Sequence, residues 1–340
     1  MWYKAPQKTT IAQPLAALTN PARNDKVIFM FSYIVKRIVL AFVTLLFVIC
    51  LTFLLMNTVP GGPFLGEKAI SAQVLAQLQA KYGLDKPLPV QLKNYIASLM
   101  KGDMGVSLKM QKNRPVAMII SEMFPVSARI GAIALLWSTF AGVALGCVAA
   151  YKRGKWQDSL LQVITTLGIA FPGFVVATAL LVCFAGGVWR IFPTSGLNRG
   201  AISYALPCFT LGLMPMCSIA RYTRSSMLDV LNKEYIKTAR AYGSSTAKLI
   251  FKYALRNALI PVVTYLGPVT AGILTGGFVV ETVFNIPGLG RYFIQSISNR
   301  DYPIIMGTTI FFAALVIIMS FLVDVLYKII DPRIELANEN

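Results

Sequence analysis

The sequence predicts an all-α polytopic membrane protein with six transmembrane helices and both termini in the cytoplasm. Three observations predict it. The 340 residues are 56% hydrophobic and only 14% charged, with a mean hydropathy of +0.64, and a soluble domain carries more charge than this. The charges present leave six long uncharged runs: Ile38–Gly66, Ile130–Tyr151, Ser159–Trp189, Gly200–Ala220, Asn257–Val280 and Tyr302–Val323. Each holds the roughly 20 apolar residues that a helix needs to cross about 30 Å of hydrocarbon. Finally, the runs lack the alternation of a barrel strand, so helices must satisfy the backbone in lipid.

Orientation follows from the basic residues. Six Lys and Arg precede the first run, three follow the second, eight follow the fourth and two follow the sixth, against two in each short loop on the other side. The excess marks the cytoplasmic face. Nine more lie in 57–129, a segment long enough to translocate regardless of charge. The net charge of +18 is thus explained by topology, with no nucleic-acid partner needed.

In chain order, 1–32 reads as a cytoplasmic tail, with Pro6, Pro14 and Pro21 and a loose polar stretch over 1–25. The first apolar run is too long for a cleavable signal and lacks a small-x-small site. The first transmembrane helix spans 33–57, anchored by Lys36 and Arg37 and stopped by "VPGGP" at Val59–Pro63. Residues 58–129 form an extracellular helical cap, in which Val74, Leu75 and Leu78 fall at helical spacing. The cap is either a passive lid or a docking surface for an external partner. A five-helix core occupies 130–327, including a cytoplasmic loop at 221–256, and 328–340 is a cytoplasmic tail. Within the core, Gly142 and Gly146 make a small-xxx-small face for close helix packing. Pro172 in "GIAFPGF" should kink the third span. The fifth span holds Gly267, Pro268, Gly272, Gly276 and Gly277, which imply either crowding or a helix that bends and gates. Glu281 at its outer end either faces a polar path or caps the turn through "NIPGLG", and the structural role is preferred. Pro172, Gly272, Gly276 and Glu281 are the candidate gating or path residues.

Composition also excludes chemistry. Histidine is absent, which removes imidazole bases, His-zinc sites and the usual hydrolytic triads. All five cysteines (Cys50, Cys147, Cys183, Cys208, Cys217) lie in apolar runs and read as packing residues. No acid lies inside the six runs, against an ion-coupled secondary transporter, and neither a selectivity filter nor a charge ring suggests a channel.

The chemistry-bearing segment is the loop between the fourth and fifth runs. Met227 to Tyr242 reads as one helix, broken by Gly243, which can take the left-handed conformation that ends helices. Ser244 or Ser245 can then cap a second helix. In that helix Ala247, Ile250, Phe251, Ala254 and Ala258 share one face, and Lys248, Lys252 and Arg256 another. By default such a basic amphipathic loop anchors on anionic lipid.

Aligned on Gly243, the loop places Lys237-Thr238-Ala239 where the cytoplasmic signature of ABC-importer permeases has Glu-Ala-Ala, and Leu259–Pro261 supplies a displaced closing "LIP". Two of the three leading residues depart from the general pattern. "EYIKTARAYGSS…ALRNALIPVVTYLG" more closely resembles B-type permeases of the dipeptide/oligopeptide/nickel subgroup, except that Tyr253 stands where relatives often have histidine. So do "PVSARIGAIALLWSTFAGVALGCVAAYKRGKWQD", "FPTSG", "GGFVVETVFNIPGLGRYF", "YGLDKPLPVQLKNYIASLMKGDMGVSL" and the closing "DPRI" at Asp331–Ile334. The resemblance covers Tyr33 to Ile334.

That resemblance implies a type I ABC-importer permease fold in a prokaryotic plasma membrane. It further implies a non-catalytic subunit that forms half of a translocation path for oligopeptides or dipeptides, with nickel chelates or glutathione-like compounds as the alternative cargo. The implied partners are a second permease chain, expected to differ from this one, two ATP-binding subunits, an extracellular solute-binding protein and membrane lipid. ATP and Mg would be bound by the ATPases and no cofactor by this chain. Consistent with this, the nearest approach to a phosphate loop, "GGPFLGEKA" from Gly61, has Glu67 where lysine is required. In the family the 237–247 loop couples to the ATPase, which carries that role onto Lys237, Thr238, Ala239, Ala241, Gly243, Ser244 and Ser245.

Overall fold

The structure, a computed structural model, describes the backbone of residues 21–58, 72–187, 189–274 and 277–330. Side chains are described within 34–323 of these, apart from Ala72, Val74, Leu75 and Leu78. The stretches at Val59–Pro63, Gly61–Ala69 and Asp331–Ile334, and Gly276, lie outside the described residues. The chain divides into two units at Phe47/Val48, and every helix after the first belongs to the second unit.

Helix α1 runs Pro21–Thr58, so helical backbone begins inside the stretch read as a tail. Its residues Ile38, Phe42 and Phe47 are exposed, which costs nothing where the surroundings are hydrocarbon. Two short helices follow, α2 (Ala72–Tyr82) and α3 (Leu88–Met100). Gly83 has left-handed φ after α2, and Pro87 opens α3, where a missing N–H is harmless. Helix α4 (Val116–Tyr151) begins fourteen residues before the run at Ile130. Glu122 and Arg129 end the uncharged run but not the helix, because Glu122 pairs with Arg114 and Arg129 lies within 3.4 Å of the Tyr204 hydroxyl.

The third span differs most from expectation. Instead of one kinked helix there are α5 (Trp156–Ala170) and α6 (Gly173–Leu180, continued by a π-helical segment Leu181–Gly186), bent by 102°. Pro Cδ excludes helical geometry at Phe171, which is extended at φ −77°, ψ 127°, and Pro172 becomes the N-cap of α6. At 1.5 Å per residue, the fifteen residues of α5 reach only about 22 Å, less than a bilayer core. The remaining long helices are α7 (Ile202–Leu231) and, after a short hairpin described below, α11 (Ile260–Leu274) and α14 (Tyr302–Ile330). Helix α12 (Phe278–Val283) completes the fifth span, and the amphipathic α13 (Leu289–Asn299) precedes α14. Five helical segments are long and apolar enough to cross a membrane, or six when α5 and α6 count as one broken span. No strand occurs among the described residues.

The packing centre is α4 against α7. A Cβ on Gly142 would come 2.7 Å from the Met216 carbonyl oxygen, and one on Gly146 would come 2.6 Å from the Ala220 carbonyl and 2.5 Å from Thr223 Cβ. Without a hydrophobic drive between helices in lipid, such backbone proximity supplies the dispersion and polar contact that hold them. Trp137 closes the same seam by donating its indole N–H to the Cys208 carbonyl at 2.9 Å. Gly146→Val should therefore lower stability by about 1–3 kcal/mol or more through overpacking against backbone that cannot move cheaply. Heating the detergent-solubilised protein and following its monodisperse fraction by size-exclusion chromatography should show a clear drop in midpoint. Gly173→Ala, where an added Cβ meets nothing within 4 Å, should show none.

Candidate coupling site

Helix α7 ends at Leu231 and α8 (Glu234–Ala241) starts after a two-residue turn, so Met227 to Tyr242 is two helices and not one. The reason is burial. At 100° per residue, a straight helix would place Ile236 opposite Met227. The break at Asn232–Lys233 lets both enter one cluster with Ala150, Val230, Leu249, Ala254 and Ala258, and Ile236 becomes fully buried.

The end of α8 is closed by a pair of reversed hydrogen bonds. Gly243 N–H donates to Arg240 C=O at 3.0 Å and Ser244 N–H to Ala239 C=O at 3.2 Å, the Schellman arrangement. It requires φ of +74° at Gly243. Ser245 then caps α9 (Thr246–Lys248), its hydroxyl accepting from Lys248 N–H at 3.4 Å. A π-helical segment at Leu249–Ala254 leads into α10 (Leu255–Ala258). The wider π turn changes the phase of the second helix. The buried residues are Leu249, Ala254 and Ala258, while Ala247 is exposed and Phe251, expected on the packed face, is 69% exposed. The two arms are tied at the base, where Asn257 Nδ2 donates to the Tyr235 hydroxyl at 2.8 Å.

The result is a hairpin with a buried root and a bare tip. Lys237, Thr238, Ala241, Gly243 and Ser245 are exposed, and Ala239 and Ser244 are half-buried. Tyr242 beside them is 87% exposed, a large ring that no other described residue covers. Lys237 pairs with Glu234 at 2.8 Å on the solvent side of α8.

The gating candidates do not converge with this hairpin. Pro172 sits at the 102° break, and Gly272 lies in α11 where an added Cβ would meet nothing within 4 Å. Glu281 is 1% exposed. Its carboxylate accepts from the backbone N–H groups of Gly290 and Arg291 (3.1 Å to the latter) and is hydrogen-bonded by Ser127. Ser127 Oγ in turn accepts from Leu289 N–H at 2.8 Å. The orphan donors at the N-terminus of α13 are thus capped by a carboxylate and a hydroxyl drawn from α12 and α4. Gly288 and Gly290 permit it, since a Cβ at either would press on Glu281. In this geometry Glu281 caps the start of α13.

Two further buried carboxylates have little local signature in the sequence. Asp158, at the start of α5, is 2% exposed and takes a bidentate bond from Arg224 of α7, with Nε to Oδ1 at 2.6 Å and Nη2 to Oδ2 at 2.8 Å. Gly154 N–H and Gln162 Nε2 complete its shell, each at 3.1 Å. Asp301, ahead of α14, is fully buried. It accepts from Ser107 Oγ (2.6 Å) and from the N–H groups of Leu108, Lys109 and Met110 (3.0, 3.0 and 2.9 Å). The available signals were slight: a single acid after "KRGK", and an acid beside Arg300 at the foot of an apolar run.

Residues 142–336 match the family model described as binding-protein-dependent transport system inner membrane component, and residues 30–130 match its N-terminal companion. The chain belongs to the binding-protein-dependent transport system inner membrane components. The dipeptide transport system permease protein DppB of Bacillus subtilis is 44% identical over 307 residues, 90% of this chain and 99% of that one. The oligopeptide transport system permease protein OppB of Salmonella typhimurium is 41% identical over 306 residues, with the same coverage. Among solved structures, an inward-facing conformation of the MetNI methionine ABC transporter matches 63% of this chain and 97% of its own with a TM-score of 0.50. At 14% identity that match shows the fold of an ABC-importer permease. This inner membrane component is therefore a multi-pass permease subunit of a transport system, as the resemblance of its loop and spans implied.

Proposed function

We propose that this permease forms half of the translocation path of an ATP-driven importer of oligopeptides or dipeptides. The observation that carries the reading is the hairpin at Glu234–Ala258, whose root is buried with residues of α4 and α7 while its tip, Tyr242 to Ala247, is exposed except for the half-buried Ser244. A tip anchored in this way transmits force to α7 through a two-residue turn. The permease itself is non-catalytic: two ATP-binding subunits hold ATP and Mg, and the hairpin tip, with Lys237, Thr238, Ala239, Ala241, Gly243, Ser244 and Ser245, seats against one of them. A second, different permease chain completes the path, and a solute-binding protein delivers cargo on the face that carries residues 72–129. The peptide cargo follows from likeness to permeases named for dipeptides and oligopeptides.

Tagging the chain in its host and purifying it gently tests the reading. Two ATPases, a second permease and a solute-binding protein are expected with it, and the binding protein's ligand names the cargo, a nickel chelate or glutathione-like compound displacing the peptide assignment if found. A thiol crosslinker placed through Ser244→Cys or Ser245→Cys should reach an ATPase. Crosslinks confined to lipid or to other spans would sink the coupling role, and ATP-independent movement of solute by the chain alone in liposomes would favour a secondary transporter.

A further inference from the structure

The Asp158–Arg224 pair lies where the hairpin's motion would leave α7, and its surroundings show what it does there. Helices α5 and α7 touch at two ends. At one, Arg224 grips Asp158 with both arms of its guanidinium, a geometry that fixes direction as well as distance. At the other, Gly168 of α5 lies so close to Cys217 of α7 that a Cβ would strike its sulfur. Ten residues of α5 and seven of α7 separate these contacts, so the two helices are clamped antiparallel along most of α5. Just beyond the second contact, the chain breaks at Phe171–Pro172 and α6 departs at 102°. The buried Asp158 also accepts from Gly154 N–H, so the loop entering α5 is held by the same carboxylate.

We infer that Arg224 and Asp158 are positioning residues that carry α5 with α7 as one body, so that movement of the coupling hairpin reaches the third span and is released at the Phe171–Pro172 hinge. The inference rests on the hairpin's coupling role. Helix α7 already packs on α4, and the clamp adds α5 to the body that it moves. Helix α6 keeps its own packing, with Ala177 buried in one cluster with Leu206 and Cys208 of α7, so Phe171–Pro172 is where α5 and α6 shift relative to each other. Arginine is required because its fork resists rotation about the contact, which a single-point lysine ammonium does not.

The test uses the complete complex, with both permeases, both ATPases and the binding protein, reconstituted in liposomes, and reads transported cargo per ATP hydrolysed. Arg224→Gln is expected to lower that ratio about tenfold, a coupling loss of ordinary allosteric size. Arg224→Lys should recover part of it. Asp158→Asn is measured beside them, because its amide oxygen still accepts from Gly154 N–H and keeps the loop folded; it should also lower the ratio. Wild-type ratios in Arg224→Gln and Asp158→Asn overturn the inference. So does a fall in assembled complex at an unchanged ratio, which is how a pair that merely stabilises the fold behaves. Gly243→Pro, measured in the same liposomes, separates the two ideas: if it uncouples while the clamp variants do not, only this inference fails, and if it too keeps the wild-type ratio, the coupling reading itself fails.

Discussion

Gly243→Pro should abolish uptake while leaving the permease inserted in the membrane. Gly243 holds φ at +74°, a region closed to proline, whose ring fixes φ near −65°. The substitution also deletes the Gly243 N–H that donates to Arg240 C=O, half of the closure at the end of α8. A loss of about 3 kcal/mol in the tip conformation corresponds to roughly a hundredfold fall in the fraction of hairpins shaped to seat on a partner. The damage stays local. Nothing lies within 4 Å of an added Cβ, and the buried root at Ile236, Leu249 and Ala254 is untouched. Gly243→Ala isolates the backbone term, since alanine keeps the N–H and pays only about 1–2 kcal/mol for left-handed φ. Uptake in whole cells should therefore rank wild type above Ala above Pro, with equal amounts of protein in the membrane fraction. Wild-type uptake in Gly243→Pro would refute the hairpin's role.

That experiment aims at a residue that local sequence made visible, and the contrast with other positions is physical. A glycine between two helix-forming stretches, followed by two serines, announces a turn, because left-handed φ and hydroxyl capping are local requirements. The apolar runs were legible for a similar reason: the cost of a bare charge or peptide group in hydrocarbon is paid residue by residue. What local pattern did not carry was phase. The break at Asn232–Lys233 exists because Ile236 must share a cluster with Met227, and the π turn at Leu249–Ala254 rotates Phe251 outward. Both depend on a tertiary partner that periodicity cannot see. Pro172 showed where the third span would yield, but the 102° angle depends on how α5 lies against α7.

Buried carboxylates were harder still. Glu281, Asp158 and Asp301 all find their partners far along the chain: Ser127 is 154 positions from Glu281, Arg224 is 66 from Asp158, and Ser107 is 194 from Asp301. Charge in such a chain invites a functional reading, yet in all three cases the carboxylate accepts backbone N–H: three groups at Asp301, two at Glu281 and one at Asp158.

Asp301→Ala should free the segment at 103–115 from α14. Asp301 is fully buried and accepts four hydrogen bonds, three from consecutive backbone N–H groups and one from Ser107. Removing the carboxylate strands all four donors, and each buried orphan costs about 1–3 kcal/mol before water enters. Relaxation will recover part of that, leaving an opening of roughly 3 kcal/mol, or about a hundredfold in the population of the detached segment. Two trypsin sites lie in the released stretch, after Lys109 and Lys112, since Arg114 precedes Pro115. Asp301→Asn should be milder, because its amide oxygen can take the place of Oδ2 and keep three of the four bonds, leaving its amide nitrogen facing only Leu108 N–H. Trypsin added to the outside of intact spheroplasts should therefore cleave Asp301→Ala near these residues far faster than wild type, and Asp301→Asn at an intermediate rate, with the helices still embedded. Equal cleavage rates would show that the carboxylate is dispensable to the cap. Cleavage obtained only from inverted vesicles would place 103–115 in the cytoplasm and reverse the orientation drawn from the basic loops. If the cap is where the binding protein docks, the same variants should lose binding-protein-stimulated ATP hydrolysis in step with cleavage, since a docking surface detached from α14 has nothing to push against.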